Sequence, residues 1–414
     1  MVRPGPRLDS MQDTIRVGIV GAGIEGASAA FYLAQRHAIA ATLFDHDPFG
    51  GATQVAAGML APVAEAVYGE ESLLDTMLEA AKEWVDLAEL LSTRFELSCG
   101  LRTDGSILVA ISPNDAQDVE RVWRYHQKLG LASGLLRPSA LIELEPTLSA
   151  NVHLGLYSET DNQVDNRVAH RSLLDACASM GARIVRTRIT EISRSQRQWQ
   201  LADQNGNRHE FDKVIVAAGS RSPEIAGLPD YLSTAMRPIR GQVIRLRTTK
   251  QAVAPRLVVR SLWEGRTVYV VPRVTGEIVI GASTEEVGYD PTTRARSTFE
   301  LLRDSIRVLP QLGEMHISEI NVGFRPGTID NAPLLGEIDD GLILNTGHFR
   351  HGILLAPLTG KWIANEVVAP HKNHSLTAFD PRRFIKIQVS KADHIAVPDP
   401  VPPHSSTSSG RDGS

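Results

Sequence analysis

Residues 15–45 constrain this chain more than any other stretch: an apolar strand, IRVGIV, runs directly into Gly21-Ala22-Gly23-Ile24-Glu25-Gly26 and then into an alanine-rich helix. Each glycine of such a turn has its own duty. Gly21 permits the tight turn, Gly23 lets backbone approach a pyrophosphate, and Gly26 lets the helix pack closely on the strand. The helix N-terminus adds amide donors and the positive end of its dipole. A second strand, ATLFD, then delivers Asp45 at the spacing expected of an acid that binds a ribose hydroxyl. Strand, turn, helix and acid in this order specify a Rossmann-like dinucleotide unit.

Composition sets the outer limits. A chain of 414 residues is long enough for two domains, and a formal charge of −5 gives no broad footprint for nucleic acid. The two cysteines, Cys99 and Cys177, form neither a disulfide framework nor a metal cluster, which fits a reducing compartment. No apolar run reaches the roughly 18–20 residues of a membrane span, and the N-terminal MVRPGPRLDSMQDT lacks the apolar centre of a secretory signal. The expectation is a soluble, cytoplasmic protein with no metal. Residues 1–12 and the Pro- and Ser-rich 390–414 are expected to be disordered tails, and Met11 is an alternative start.

Helical periodicity predicts helices near 72–94, 113–131 and 166–180. Strand patterns follow in ARIVRT, WQLAD and FDKVIVAAG, with an Asn205-Gly206 turn between the last two that predicts a hairpin or meander. PIRGQVIRLR, RTVYVVPR and GEIVIGAST then read as a second, mainly antiparallel sheet. Ala217-Ala218-Gly219-Ser220 closes a buried strand with small residues that would let backbone meet a nucleotide. It lies far from the first glycine turn, so the nucleotide domain must be discontinuous.

A second stretch, from Gly50 through Ala56-Ala57-Gly58-Met59-Leu60-Ala61-Pro62, is too small in side-chain volume for a core helix and suits backbone lying against a flat ring. In the last third, Arg325 sits in GFRPGT and Arg350 in GHFRHG. A guanidinium holds a carboxylate through two parallel charge-assisted hydrogen bonds, so either arginine could clamp an amino acid. An isolated arginine more often makes an ordinary salt bridge; the fixed backbone between Gly323 and Pro326 favours the clamp. Gly352-Ile353 opens a helix whose amides could face a ring that becomes anionic on reduction.

Together, GAGIEG with Asp45, AAGMLAP, RGQVIRLR, VYVVPR, GAST, GFRPGTIDNAPLLG and GHFRHGILLAP resemble the FAD-dependent amine oxidases of the D-amino-acid oxidase superfamily, most closely the glycine oxidases of thiazole (thiamine) biosynthesis. The resemblance spans about residues 15–384. It implies an α/β, two-domain fold like that of D-amino-acid oxidase and glutathione reductase. A discontinuous Rossmann-like FAD-binding domain would comprise 13–95, 145–228 and 318–372, and a smaller substrate domain with a mainly antiparallel sheet 96–144 and 229–317. The substrate-carboxylate arginine falls on Arg325, the active-site tyrosine on Tyr269 and the second arginine near the flavin on Arg350. Without the resemblance, Tyr269 reads as an ordinary half-buried strand tyrosine. FAD would be cradled by Gly21, Gly23, Gly26, Asp45, Thr53, Ala56, Ala57, Gly58, Met59, Gly219, Gly347, His348, Arg350, Gly352 and Ile353.

Two positions depart from the pattern. Glu25 stands where relatives carry an apolar residue, and Thr284 where the glycine oxidases can carry methionine beside the substrate. The covalent flavin cysteine of sarcosine oxidases has no counterpart, so FAD is expected to be noncovalent. The implied chemistry is hydride transfer from glycine, or another small amine, with oxygen as acceptor and peroxide as product; the imine would hydrolyse or pass to a thiazole synthase. A D-amino-acid dehydrogenase and a sarcosine-type oxidase remain open, as does a flavin-binding module without turnover. A homo-oligomer is expected.

Overall fold

The computed structural model describes residues 14–36, 38–370 and 374–385. The expectations for the tails and for Met11 lie outside the described residues. Ile15–Val20 lies inside a six-stranded sheet, flanked in parallel by Ile39–Phe44 and Lys213–Val216; Leu342–Thr346 and Leu334–Asp339 complete one side and Arg183–Val185 the other. Both faces of this sheet are covered, which is why its strands read as near-continuous apolar runs. Val17 and Ile19 enter one core and Val20 the other.

On the first face, helices Ile24–Ala34 and Gly352–Val368 pack together through small residues. Ser28 Oγ donates to the Ala356 carbonyl at 2.7 Å, and a side chain at Gly360 would collide with Ser28. The long helix Glu71–Phe95 covers this pair, and its buried Trp84 donates Nε1 to the Ile353 carbonyl at 2.8 Å. On the other face lies a meander of Ile189–Ser195, Gln198–Asp203 and Arg208–Phe211. Gly18 makes room for it, since a Cβ there would sit 2.7 Å from the Phe211 ring. FDKVIVAAG therefore contributes two strands: its first part ends the meander, and its second enters the parallel sheet.

The second sheet has eight strands, in the order His316–Thr328, Met236–Arg247, Glu277–Gly281, Arg266–Pro272, Val258–Trp263, Ser106–Ala110, Leu154–Ser158 and Gly134–Leu136. All pairs are antiparallel except Val258–Trp263 with Ser106–Ala110. Two of its strands fall in segments expected to belong to the nucleotide half. Leu154–Ser158 pairs with Ser106–Ala110, and His316–Thr328 pairs along its length with Met236–Arg247. Strand patterning reports which face is buried but not which neighbour is chosen, so the sheet these two strands join follows from pairing and not from sequence order. Arg325 consequently belongs to the second sheet, opposite Ile239. No helix among the described residues is long and apolar enough to cross a membrane.

Candidate active site

A cavity of about 950 Å³ opens where the two sheets meet, and both contribute to its wall. On the nucleotide side, Asp45 is fixed by two amides: Ala22 N–H donates to Oδ2 at 2.9 Å and Asp47 N–H to Oδ1 at 3.0 Å. Ile24 N–H, in the first turn of its helix, donates to Thr53 Oγ1 at 3.0 Å. Buried His170 donates from Nε2 to the Ala22 carbonyl at 2.6 Å and accepts from Gln54 Nε2 at 3.0 Å. It thereby ties the glycine turn to the short helix Gly51–Val55.

The glycines divide by role. Gly21, at φ 102°, presses on the Ala217 carbonyl, and Gly26 presses on the Gly21 carbonyl, so both serve backbone packing. Gly23 and Gly219 line the cavity. Of the fifteen positions expected to cradle the cofactor, Gly26 and Gly347 are not on the wall; Gly347 turns the chain beneath it against Thr328 and Leu334.

The small-residue stretch is a buttressed ledge rather than a loose loop. Arg273, at the end of the VYVVPR strand and only 5 % exposed, donates to the Ala57 carbonyl at 2.6 Å, the Val164 carbonyl at 2.7 Å, Asn166 Oδ1 at 3.0 Å and Gln163 Oε1 at 3.1 Å. Burial lowers its guanidinium pKa to about 10, still cationic at neutral pH. Arg245 pairs with Glu277 and reaches the Gln54 carbonyl at 3.2 Å, while Asn166 Nδ2 donates to the Thr53 carbonyl at 2.7 Å. Ala56, Ala57, Gly58 and Met59 thus present backbone to the cavity from a rigid support.

On the opposite wall, Tyr269 and Arg325 are neighbours. The Arg325 guanidinium lies over Gly241, where a Cβ would be 2.6 Å from Nη1, and donates to the Ser283 carbonyl at 3.2 Å. Burial pushes the Tyr269 phenol up, so it stays protonated. Arg350, the other candidate clamp, is already engaged by carboxylates of this chain. Its Nε donates to Glu65 Oε2 at 2.9 Å, its Nη atoms grip Glu70, and Arg260 engages Glu65 from the other side at 3.3 Å. Burial alone would raise the Glu65 carboxyl, but Arg260 and Arg350 outweigh it and hold it below the usual range. Burial likewise opposes ionisation of Glu70, and His351, 3.9 Å away, together with the hydrogen bonds from Arg350 carries it down to about 2. Thr284 also lines the wall.

Arg325 is joined to the final loop through the backbone: Phe349 N–H donates to the Pro326 carbonyl at 2.9 Å. That loop brings His348, Arg350, Gly352 and Ile353 to the cavity. Glu25 turns away from its own turn toward this loop and the last helix, where Oε2 accepts from Thr359 Oγ1 at 2.8 Å. Glu65, Arg260, Arg273, Asn166 and His170 were not singled out from the sequence. Arg273 had a signal, as the last residue of VYVVPR, and Glu65 stands three residues beyond AAGMLAP.

The wall suits FAD in size and in donor chemistry, joining a helix N-terminus and an acid fixed for a ribose to a ledge of small residues. Buried polar atoms on the wall without a hydrogen bond, Asn345 Oδ1, His348 Nδ1 and Glu25 Oε1, are consistent with a polar occupant. Cys99 and Cys177 are buried in the core and neither lines the cavity.

Known proteins resemble this chain along most of its length. Residues 16–366 match the family of FAD dependent oxidoreductases designated DAO. The glycine oxidase of Geobacillus kaustophilus is 30 % identical over 376 residues, covering 89 % of this chain and 97 % of that protein. The bifunctional protein ThiO/ThiG of a Synechocystis strain is 32 % identical over 384 residues, or 91 % of this chain. The chain spans only 55 % of that bifunctional relative's length. The crystal structure of the Geobacillus kaustophilus glycine oxidase superposes with a TM-score of 0.81 at 28 % identity, covering 89 % of this chain and 99 % of that one. This chain belongs to the DAO family of FAD-dependent oxidoreductases.

Proposed function

We propose that this protein oxidises the Cα–N bond of glycine, or of a comparably small amino acid, with FAD as cofactor and oxygen as acceptor. One observation carries the reading. Of the three arginines on the substrate side of the cavity, Arg260 and Arg350 are neutralised by Glu65 and Glu70, whereas Arg325 has no carboxylate within ion-pair distance among the described residues. Three cations against two anions leave one positive charge, matched to one substrate carboxylate. Arg325 holds that carboxylate by a charge-assisted pair, and Tyr269 supplies a neutral phenol beside it.

Bound FAD supplies the two-electron acceptor that the side chains lack. With FAD bound and the substrate amine neutral, the Cα–H would leave as hydride, so the side chains are assigned binding and orientation and no protein base is assigned. Overall, glycine, oxygen and water give glyoxylate, ammonia and hydrogen peroxide. The two-part ThiO/ThiG relative supports a thiazole synthase as consumer of the imine before it hydrolyses. Anaerobic mixing of the FAD-loaded protein with glycine, sarcosine and D-alanine tests the reading. Bleaching by glycine and fast recovery in air with peroxide is expected; bleaching by D-alanine alone with sluggish recovery would replace it with a D-amino-acid dehydrogenase.

A further inference from the structure

Glu25 and His348 make a buried acid–base pair on the cavity wall that the proposed oxidation does not use. Glu25 lies in the first turn of helix Ile24–Ala34, and His348 precedes helix Gly352–Val368, so the pair sits between the N-terminal ends of two helices. Glu25 Oε1 and His348 Nε2 are 3.3 Å apart but not aligned as a hydrogen bond, and neither atom has another hydrogen-bond partner. The groups around Glu25 come from each packed element. Helix Gly352–Val368 offers Thr359, strand Leu342–Thr346 offers Asn345, and the loop between them offers His348 with His351 behind it. Apart from His348, no charged or titratable side chain among the described residues lies within ion-pair distance of Glu25.

A carboxylate here would be a buried anion on the wall that the glycine turn also lines, the wall that would face a dinucleotide's pyrophosphate. Coulomb repulsion at that range, in a medium poorer than water, outweighs what one hydroxyl donor returns. Burial accordingly raises the Glu25 carboxyl to about 8, and burial drops His348 to about 3. The pair therefore rests as a protonated acid facing a neutral imidazole.

Resting on the assignment of FAD to this cavity, we propose that Glu25 and His348 hold one buried proton that must stay in place for FAD to bind, so that affinity for FAD falls as the pH rises above neutrality. The sign follows from linkage. Below the pKa of Glu25 the proton is already present and binding is independent of pH. Above it, each binding event takes one proton from solvent, and Kd rises by about tenfold per pH unit. Glu25 is thus a positioning residue that acts through its protonation state.

The test is titration of the full-length apoprotein with FAD between about pH 6.5 and 9.5, read by quenching of flavin fluorescence. Wild type should give a flat Kd up to about pH 7.5 and a slope approaching one above about 8. Glu25→Gln should be flat throughout, and Glu25→Ile provides a second variant should the amide pack poorly. Calorimetry of wild type at about pH 8.5, in two buffers of different ionisation enthalpy, should show uptake approaching one proton per FAD. A flat wild-type profile, an unchanged slope in both variants, or no proton uptake would overturn the proposal. Failure to bind FAD at any pH would instead overturn the assignment of the cavity to FAD.

Discussion

The two walls of the cavity are built on different principles. The nucleotide wall is local: Gly21 and Gly23 lie within one turn, Gly26 packs behind them, and Asp45 arrives at the end of the next strand. The substrate wall is assembled from distant parts, with Glu65 and Glu70 leading into the long helix, Arg260, Tyr269 and Arg325 on three strands of the second sheet, and Arg350 on the final loop. Backbone amides carry the first wall and side-chain charges the second. Changes on the first should register mainly as stability and FAD affinity, and changes on the second mainly as substrate kinetics.

The largest effect expected from breaking this division is at Arg273, which belongs to the second sheet yet supports the ledge of the first wall. Arg273→Ala leaves two carbonyls and two amide oxygens without their donor and should cost about 3–5 kcal/mol in chemical denaturation, with FAD affinity falling in parallel. Unchanged stability would mean that the ledge holds itself. Next comes Arg325→Ala. Loss of a charge-assisted pair worth about 3 kcal/mol should raise the Michaelis constant for glycine about 100-fold while FAD binds normally. An unaltered constant would remove Arg325 from carboxylate binding.

Glu65→Gln sharpens the comparison, because it frees one positive charge on the substrate wall. Steady-state kinetics should show dicarboxylic amines gaining about tenfold relative to glycine, and an unchanged ratio would show that charge matching does not select the substrate. The smallest effects are in the pH dependence of stability, where two glutamates act in opposite senses. Glu70 is depressed to about 2, so the stability it adds is present above the ordinary carboxylate range and is lost as the pH falls toward about 2. Glu70→Gln should therefore be destabilising by about 1 kcal/mol at neutral pH and indistinguishable from wild type in strong acid. Glu25 is raised from 4.5 to about 8, so wild type loses stability as the pH climbs through that window. Glu25→Ile should flatten this decline in melts of the apoprotein, and an identical pH profile would place an ionised Glu25 in the folded state.

Legibility from sequence followed the same division. The glycine turn, Asp45 and the small-residue ledge could be read because their signals are contiguous and their function lies in backbone geometry. The helices expected at 72–94, 113–131 and 166–180 appear as Glu71–Phe95, Pro113–Lys128 and Asn166–Ser179, since their apolar periodicity is set locally. The pairing of Arg350 with Glu65 and Glu70 could not be read, because those partners precede it by 280 residues or more and meet only through tertiary packing. The same limit hides the pairing of Leu154–Ser158 and His316–Thr328 with strands of the second sheet. A strand's alternation carries no label for the edge it will join.

The hydrogen bond from Phe349 to Pro326 has a consequence for which molecules are turned over. It ties the segment bearing Arg325 to the loop that enters the last helix, so on the proposed reading the anchor for a substrate carboxylate is tethered to the seat of the redox cofactor. On that reading the active site would behave as a ruler with one graduation, set to the single bond between an α-carbon and its carboxylate. β-Alanine carries the same charges one methylene further apart; it should occupy the cavity as an inhibitor and leave the enzyme unreduced.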